Sequence, residues 1–172
     1  MKLFISSIVD LKKTPHNRVH QIIKHLHKKH EITAFCINDW WKGKQMNVSE
    51  YSQDFNNFLD EIEIIYMTDK KISPILQEVS SFRSIKKLDL NEFNVHFNYN
   101  TLVSGHFVSK EINSSVYDIA DDLPEMIRTS PQIPYFLKSI GYMLGYRMLK
   151  DNISCSKKVT YITNSLKEDY NL

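Results

Sequence analysis

Short apolar runs alternate with helical repeats along this chain. Residues 2–9 form an apolar run consistent with a buried strand, and a polar loop follows over 10–17. Residues 18–29 set Val19, Ile22, Ile23 and Leu26 on one helical face, and 31–37 is a second β-prone run. Strand, loop, helix and strand in under forty residues is the pattern of a βαβ unit, whose crossover is right-handed. Beyond it, 42–50 reads as an exposed loop turning at Gly43, and 51–59 as a helix using Tyr51, Phe55, Phe58 and Leu59. A third strand spans 62–67. The spacing over 72–87 predicts a helix with Ile75, Leu76, Val79 and Phe82 inward, and with Pro74 in its first turn, where a missing N–H costs little. Residues 93–97 make a fourth strand, 102–112 a helix weakened by Gly105, and 116–119 a fifth strand. The longest helix covers 133–150, where Ile133, Phe136, Leu137, Ile140 and Leu144 recur at helical spacing and Gly141 and Gly145 allow close packing. A sixth strand at 158–163 and a last helix from 165 to 170 complete the series. With no internal repeat or linker, this predicts one α/β domain over 1–172. It has three layers, α/β/α, around a mostly parallel sheet of about six strands.

The fifth strand carries the densest candidate chemistry. It reads V-Y-D-I-A-D-D-L-P and ends in Asp118, Asp121 and Asp122 before Pro124 breaks the local structure. In an open α/β sheet, ligands sit beyond the carboxyl ends of the strands, so this cluster is a candidate site, although any one of the acids alone reads as a turn residue. Tyr99 and Asn100 follow the fourth strand at the same edge, as cleft lining or as a turn built on Asn100. Trp40 and Trp41 follow the second strand, and their indole faces suit sugar rings or a bilayer interface, with core packing of at least one as the simpler expectation. His16, His20 and His27 fall on the polar face of the first helix; no carboxylate completes a metal set, so a solvated face and no metal are expected. Tyr135, Tyr142 and Tyr146 form a second stripe on the longest helix, near Lys138, Arg147 and Lys150, fit for lipid headgroups, for a further domain, or for packing beneath neighbours.

Composition narrows the classes. At 42% hydrophobic and 24% charged residues the chain reads as globular, and a formal net charge of +2 gives no argument for nucleic acid. Cys36 and Cys155 match no metal or redox spacing, which points to a reducing compartment. The N-terminal apolar run stops at Asp10, too early for a transmembrane helix, so a cytoplasmic protein is expected, with peripheral membrane contact left open.

Three stretches carry a resemblance. The first is K-L-F-I-S-S-I-V-D with N-R-V-H-Q-I-I-K-H-L-H-K-K-H-E-I-T-A-F-C-I, the second V-Y-D-I-A-D-D-L-P, and the third K-V-T-Y-I-T-N-S-L-K-E-D-Y. In order and spacing they resemble the N-terminal half of glycosyltransferases built from two Rossmann-like halves, the GT-B type, group 1 family. The resemblance covers nearly the whole chain. It implies a Rossmann-like domain that holds the acceptor, a glycan or a lipid-linked sugar, while a C-terminal half binds most of a nucleotide-sugar donor and no separate cofactor is needed. On that footing Asp118 is the catalytic candidate, contacting acceptor hydroxyls or acting as a base, against the alternative of a structural acid held by backbone N–H groups. Tyr99, Asn100, Asp121, Asp122 and Trp40 are acceptor-side candidates; Ser7, Asn17 and Arg18 are candidates for the donor phosphate. The family's paired glutamates, seven residues apart, have no counterpart here, so the expectation is an N-terminal half lacking full transferase activity by itself. The chain also departs from the family's glycine-rich loop: residues 6–17 contain no glycine, leaving a helix N-terminus and Arg18 to meet an anion. The rival expectation is a stand-alone, non-catalytic binding module on the same scaffold. A signalling receiver domain is a weaker third option whose pattern fails: Asp10 stands alone after the first strand, Asp69 follows the third, and acids take the place of a Lys after the fifth.

Overall fold

Six parallel strands in the order β3-β2-β1-β4-β5-β6 form the central sheet of the computed structural model, which describes residues 1–41, 57–131 and 133–172. The strands are β1 (Lys2–Ser7), β2 (Glu31–Cys36), β3 (Glu63–Tyr66), β4 (Val95–Tyr99), β5 (Ser115–Ile119) and β6 (Lys158–Tyr161). Helix α1 (Arg18–Leu26) covers one face. The opposite face carries α2 (Pro74–Ser80), α3 (Phe82–Ile85), α4 (Val103–Glu111), α6 (Tyr135–Cys155) and α7 (Asn164–Tyr170), with α5 (Leu123–Thr129) packed on α6. This is a three-layer, Rossmann-like doubly wound sheet. Its order reverses between β1 and β4, which opens a crevice at their carboxyl ends.

Strand alternation divides the core. Leu3, Ile5, Ile32, Ala34 and Cys36 meet Val19 and Ile23 of α1, while Phe4, Phe35 and Met67 meet Ile85, Val108 and Ile112 behind the sheet. A third cluster joins Tyr117 and Ile119 to Leu149, Leu166 and Tyr170. Strands covered on both faces read as continuous apolar runs, which is why β1 and β2 stand out in the sequence.

Several helix expectations need correction. In α2, Ile75, Leu76 and Val79 face outward, and the buried positions are Gln77 and Glu78. Polar groups go inward because each is fully engaged. The Gln77 amide accepts from Asn38 N and donates to the carbonyls of Asn38 and Ile72, while Glu78 caps another helix. The helix over 72–87 also breaks at Ser81, whose hydroxyl donates to Glu78 O at 2.6 Å. In α6, Phe136, Leu137, Ile140 and Leu144 are exposed, and Gly145, Leu149 and Asn152 are buried. Length explains this. Twenty-one helical residues span about 32 Å, whereas a six-residue strand spans about 20 Å. The first half of α6 therefore stands beyond the sheet. Pro124 occupies the first turn of α5 and opens a helix where a break was expected. Trp40 and Trp41 are both exposed instead of one packing in the core. The loop expected at 42–50 and most of the helix at 51–59 lie outside the described residues; within them, Asn57–Glu61 is a 3-10 turn burying Phe58 and Leu59.

Candidate functional site at the carboxyl edge

Parallel register lines up one row of side chains across the sheet. Ser7 pairs with Tyr99, Tyr99 with Asp118, and Asp118 with Thr160, so the last residues of β1 and β4 and the next-to-last residues of β5 and β6 point to the α1 side together. With neighbouring strands about 4.8 Å apart, three of the expected site residues, Ser7, Tyr99 and Asp118, stand side by side at the crevice. The first residue of α1 reaches across them. Arg18 Nη2 lies 3.0 Å from Asp118 Oδ1, the Asp118 side chain being 0% exposed and that of Arg18 40%. Thr160 Oγ1 donates to the same oxygen at 2.6 Å. Asp118 Oδ2 is buried and has no hydrogen-bond partner among the described residues.

This geometry has an electrostatic logic. A cation in the first turn of a helix sits at the positive end of the helix dipole, which disfavours it. Asp118 supplies the compensating charge, and α1 has no acid in its own first turn. Arg18 therefore presents part of its guanidinium to the crevice while its counter-ion stays beneath it. Burial pushes the Tyr99 hydroxyl above its ordinary pKa; the negative charges of Asp118 and Asp121 add to this and Arg18 opposes it.

The lip of the crevice is a constrained turn. Asn100 has φ 55°, a left-handed conformation costly for a side chain other than glycine. Oriented by its hydrogen bonds, its amide donates to Asp121 O at 3.1 Å and accepts from Asp121 N at 3.2 Å. Asn100 N donates to Asp118 O at 3.0 Å. The turn thus ties the ends of β4 and β5 together and leaves the Asp121 side chain exposed at the rim. Asn100 is both a turn residue and part of the lip.

Other expected residues fall elsewhere or serve the fold. Asp122 caps α5, accepting from Glu125 N at 3.0 Å and from the Tyr170 hydroxyl at 2.7 Å. Asn17 caps α1 through Val19 N at 3.2 Å. The Ser7 hydroxyl donates to Val9 O at 3.1 Å and closes the turn after β1. Trp40 donates to Ile72 O at 3.0 Å. It follows β2, which is three strand positions, about 14 Å, from β5 across the sheet. Trp40 thus belongs to the opposite flank of the edge. His20 is buried, not on a solvated face: Nε2 donates to Leu11 O at 2.9 Å and Nδ1 accepts from Asn17 N at 3.3 Å, and burial lowers its pKa. With both ring nitrogens used, it cannot join His16 on a metal, and no group of three metal-ligating side chains occurs among the described residues.

Three polar residues that support this edge carry weak signals in sequence. Thr160 is one strand residue among many, and only the register with Asp118 reveals it. Asp10 is fully buried, its carboxylate accepting from Lys12 N, Lys13 N and Asp39 N at 3.0, 3.2 and 2.9 Å, so it joins the loops after β1 and β2. Glu78 accepts from Leu102, Val103 and Ser104 N at the start of α4. Burial raises its pKa above the usual carboxylate range, against the pull of those three amides. A lone acid in an otherwise apolar helical stretch was the available signal for Glu78.

No helix among the described residues is long and apolar enough to cross a membrane. Compared with known protein families, curated proteins and solved structures, the chain matches none.

Proposed function

We propose that this chain is the acceptor-side half of a glycosyltransferase that uses a nucleotide-sugar donor, with Arg18 and Asp118 as its central pair. The observation that carries the reading is the half-exposed guanidinium at the switch-point crevice, held from below by a buried carboxylate with one unused oxygen. Transfer joins an acceptor hydroxyl oxygen to the sugar's anomeric carbon and releases a nucleoside diphosphate. Arg18 meets the diphosphate charge, for which a planar guanidinium is well suited. Asp118 is first a positioning residue for Arg18. Once phosphate draws the guanidinium outward, Asp118 Oδ2 becomes the acceptor for a sugar hydroxyl and for its proton. Tyr99 and the Asn100–Asp121 turn form the acceptor wall. Ser7 and Asn17 shape the loop and helix start that hold Arg18 in place.

The complete burial of Asp118 also favours the rival reading, a binding module without turnover. Two measurements test the proposal. Calorimetric titration with uridine diphosphate reads the anion site, and the Arg18→Lys protein keeps the charge that Asp118 needs while losing the planar fork. A drop of roughly tenfold in affinity is expected on that substitution; unchanged affinity in the folded variant overturns the site. Release of uridine diphosphate from a panel of uridine-diphosphate sugars, in the presence of glycan or glycolipid acceptors, then separates transferase from binding module.

A further inference from the structure

We infer that the molecule seats on an anionic lipid surface through the rim made by α2 and the first half of α6. This goes beyond sugar transfer and does not rest on it. Leu76 and Val79 of α2 are 54% and 56% exposed, and Phe136, Ile140 and Met143 of α6 are 74%, 52% and 62% exposed. α2 follows β3 at the carboxyl edge, and α6 follows α5, which itself follows β5, before running back behind the sheet. The α6 segment projects past the sheet, and its inner side is already occupied by α5, whose Ile127 fills the space at Gly141 and Gly145. Among the described residues, the outer apolar side chains are left uncovered.

Charge identifies their partner. Residues 70–88 hold five Lys or Arg and one acid, Glu78, whose carboxylate is buried on α4. Residues 123–150 hold four Lys or Arg and one acid, Glu125, which is paired with Arg128 at 2.6 Å. The remaining chain has thirteen Lys or Arg and eighteen Asp or Glu, a net charge of −5, although the whole is +2. The positive charge is thus concentrated on the two segments that expose apolar side chains. Apolar residues flanked by Lys and Arg are the composition of an interfacial membrane helix, where apolar burial and attraction to anionic headgroups act together. Trp40 stands beside this rim through its bond to Ile72 O, just before α2, and indole favours the headgroup zone.

The test uses the 172-residue chain with vesicles of phosphatidylcholine alone, or containing roughly a third phosphatidylglycerol. Co-sedimentation is expected with the anionic vesicles only, and to weaken in about 0.5 M salt, where headgroup charge is screened. The two tryptophans provide a second readout, an emission shift to the blue on binding. Leu76→Ser with Val79→Ser, and Ile140→Ser with Met143→Ser, alter exposed positions and leave the fold intact by circular dichroism. Each pair is expected to weaken sedimentation about tenfold or more, from the apolar area withdrawn. Failure to bind anionic vesicles, or binding unchanged by both pairs, overturns the inference. A dimer in solution that the same substitutions abolish also overturns it, by showing a second copy to be the occupant. Uridine diphosphate affinity reads the other site separately, so the two proposals fail independently.

Discussion

Removing either partner of the Arg18–Asp118 pair has unequal consequences, and the inequality follows from burial. Arg18→Ala leaves a carboxylate with no solvent exposure, one remaining bond from Thr160 and a second oxygen without a partner. Breaking a fully buried pair this way costs about 3–5 kcal/mol. Arg18 is 40% exposed, so part of its interaction is already screened by water, and a cost of about 2–3 kcal/mol is expected. Asp118→Asn leaves the guanidinium free to rehydrate and keeps an oxygen for Thr160, so its cost is under about 1 kcal/mol. The double variant removes the buried charge altogether and should recover about 1–2 kcal/mol relative to Arg18→Ala alone.

Urea unfolding of the four proteins at pH 7 measures this cycle. A loss of 2 kcal/mol changes the folded-to-unfolded ratio by roughly thirtyfold, well within range of the method. Equal costs for the two single variants, or a double variant whose cost is their sum, would refute the argument that Asp118 is a buried charge dependent on Arg18.

Other expectations follow from groups the site does not use. His96 is fully buried, bonded to Ser6, Ser109 and Ser115, and burial pushes its pKa down to about 3 from 6.5. The folded state binds fewer protons than the unfolded one, so this contribution is present above pH 6.5 and lost as the pH falls towards 3. At pH 5 the loss is about 2 kcal/mol, and His96→Gln should remove about that much of the difference in urea-unfolding free energy between pH 7 and pH 5; parallel pH profiles would show otherwise. Glu78→Ala strands the three buried amides at the start of α4 and should cost about 3 kcal/mol, while Glu78→Gln, which keeps an acceptor, costs about 1. Hydrogen exchange at Leu102, Val103 and Ser104 reads this directly, and equal protection in both variants would dismiss the cap. Gly105→Ala places a methyl group into Asn98 and Thr101 and should break their network with Asn152, lowering thermal stability by several degrees.

The sheet was legible because β1 and β2 are buried on both faces, and apolar runs separated by helical lengths leave few topologies for parallel pairing. The faces of the helices were harder. In α2 the apolar side chains at Ile75, Leu76 and Val79 look like a core stripe, yet the inward positions are Gln77 and Glu78. Periodicity detects a stripe but not which side of it meets the sheet, and a buried Glu is recognised only when its three amide partners, over twenty residues away, are known. The same holds for α6, where the pattern continues past the end of the sheet. At the site, the Asp118 position followed from a strand ending in acids. Its pairing with Arg18 did not, because those two residues are a hundred positions apart and meet only through the β1–β4–β5 register.

The two helix N-termini flanking the switch point are both already capped from within. At α4, the Glu78 carboxylate occupies the place where a phosphate would take up free amides, and a second anion there would meet a buried acid. At α1, the Asn17 side chain accepts from Val19 N, the His20 ring accepts from Asn17 N, and the preceding loop has no glycine to let a ligand approach the backbone. Backbone capture of a diphosphate is therefore closed at both positions. An anion entering this crevice must be met by a side chain, and Arg18 is held there by a buried carboxylate that opposes the unfavourable sign of the helix dipole. Among the described residues Arg18 is then the group that meets the charge, so the proposed anion affinity should depend on that residue and on ionic strength. A mild response of diphosphate binding to Arg18→Lys, or an affinity insensitive to salt, would mean that some other group does the binding.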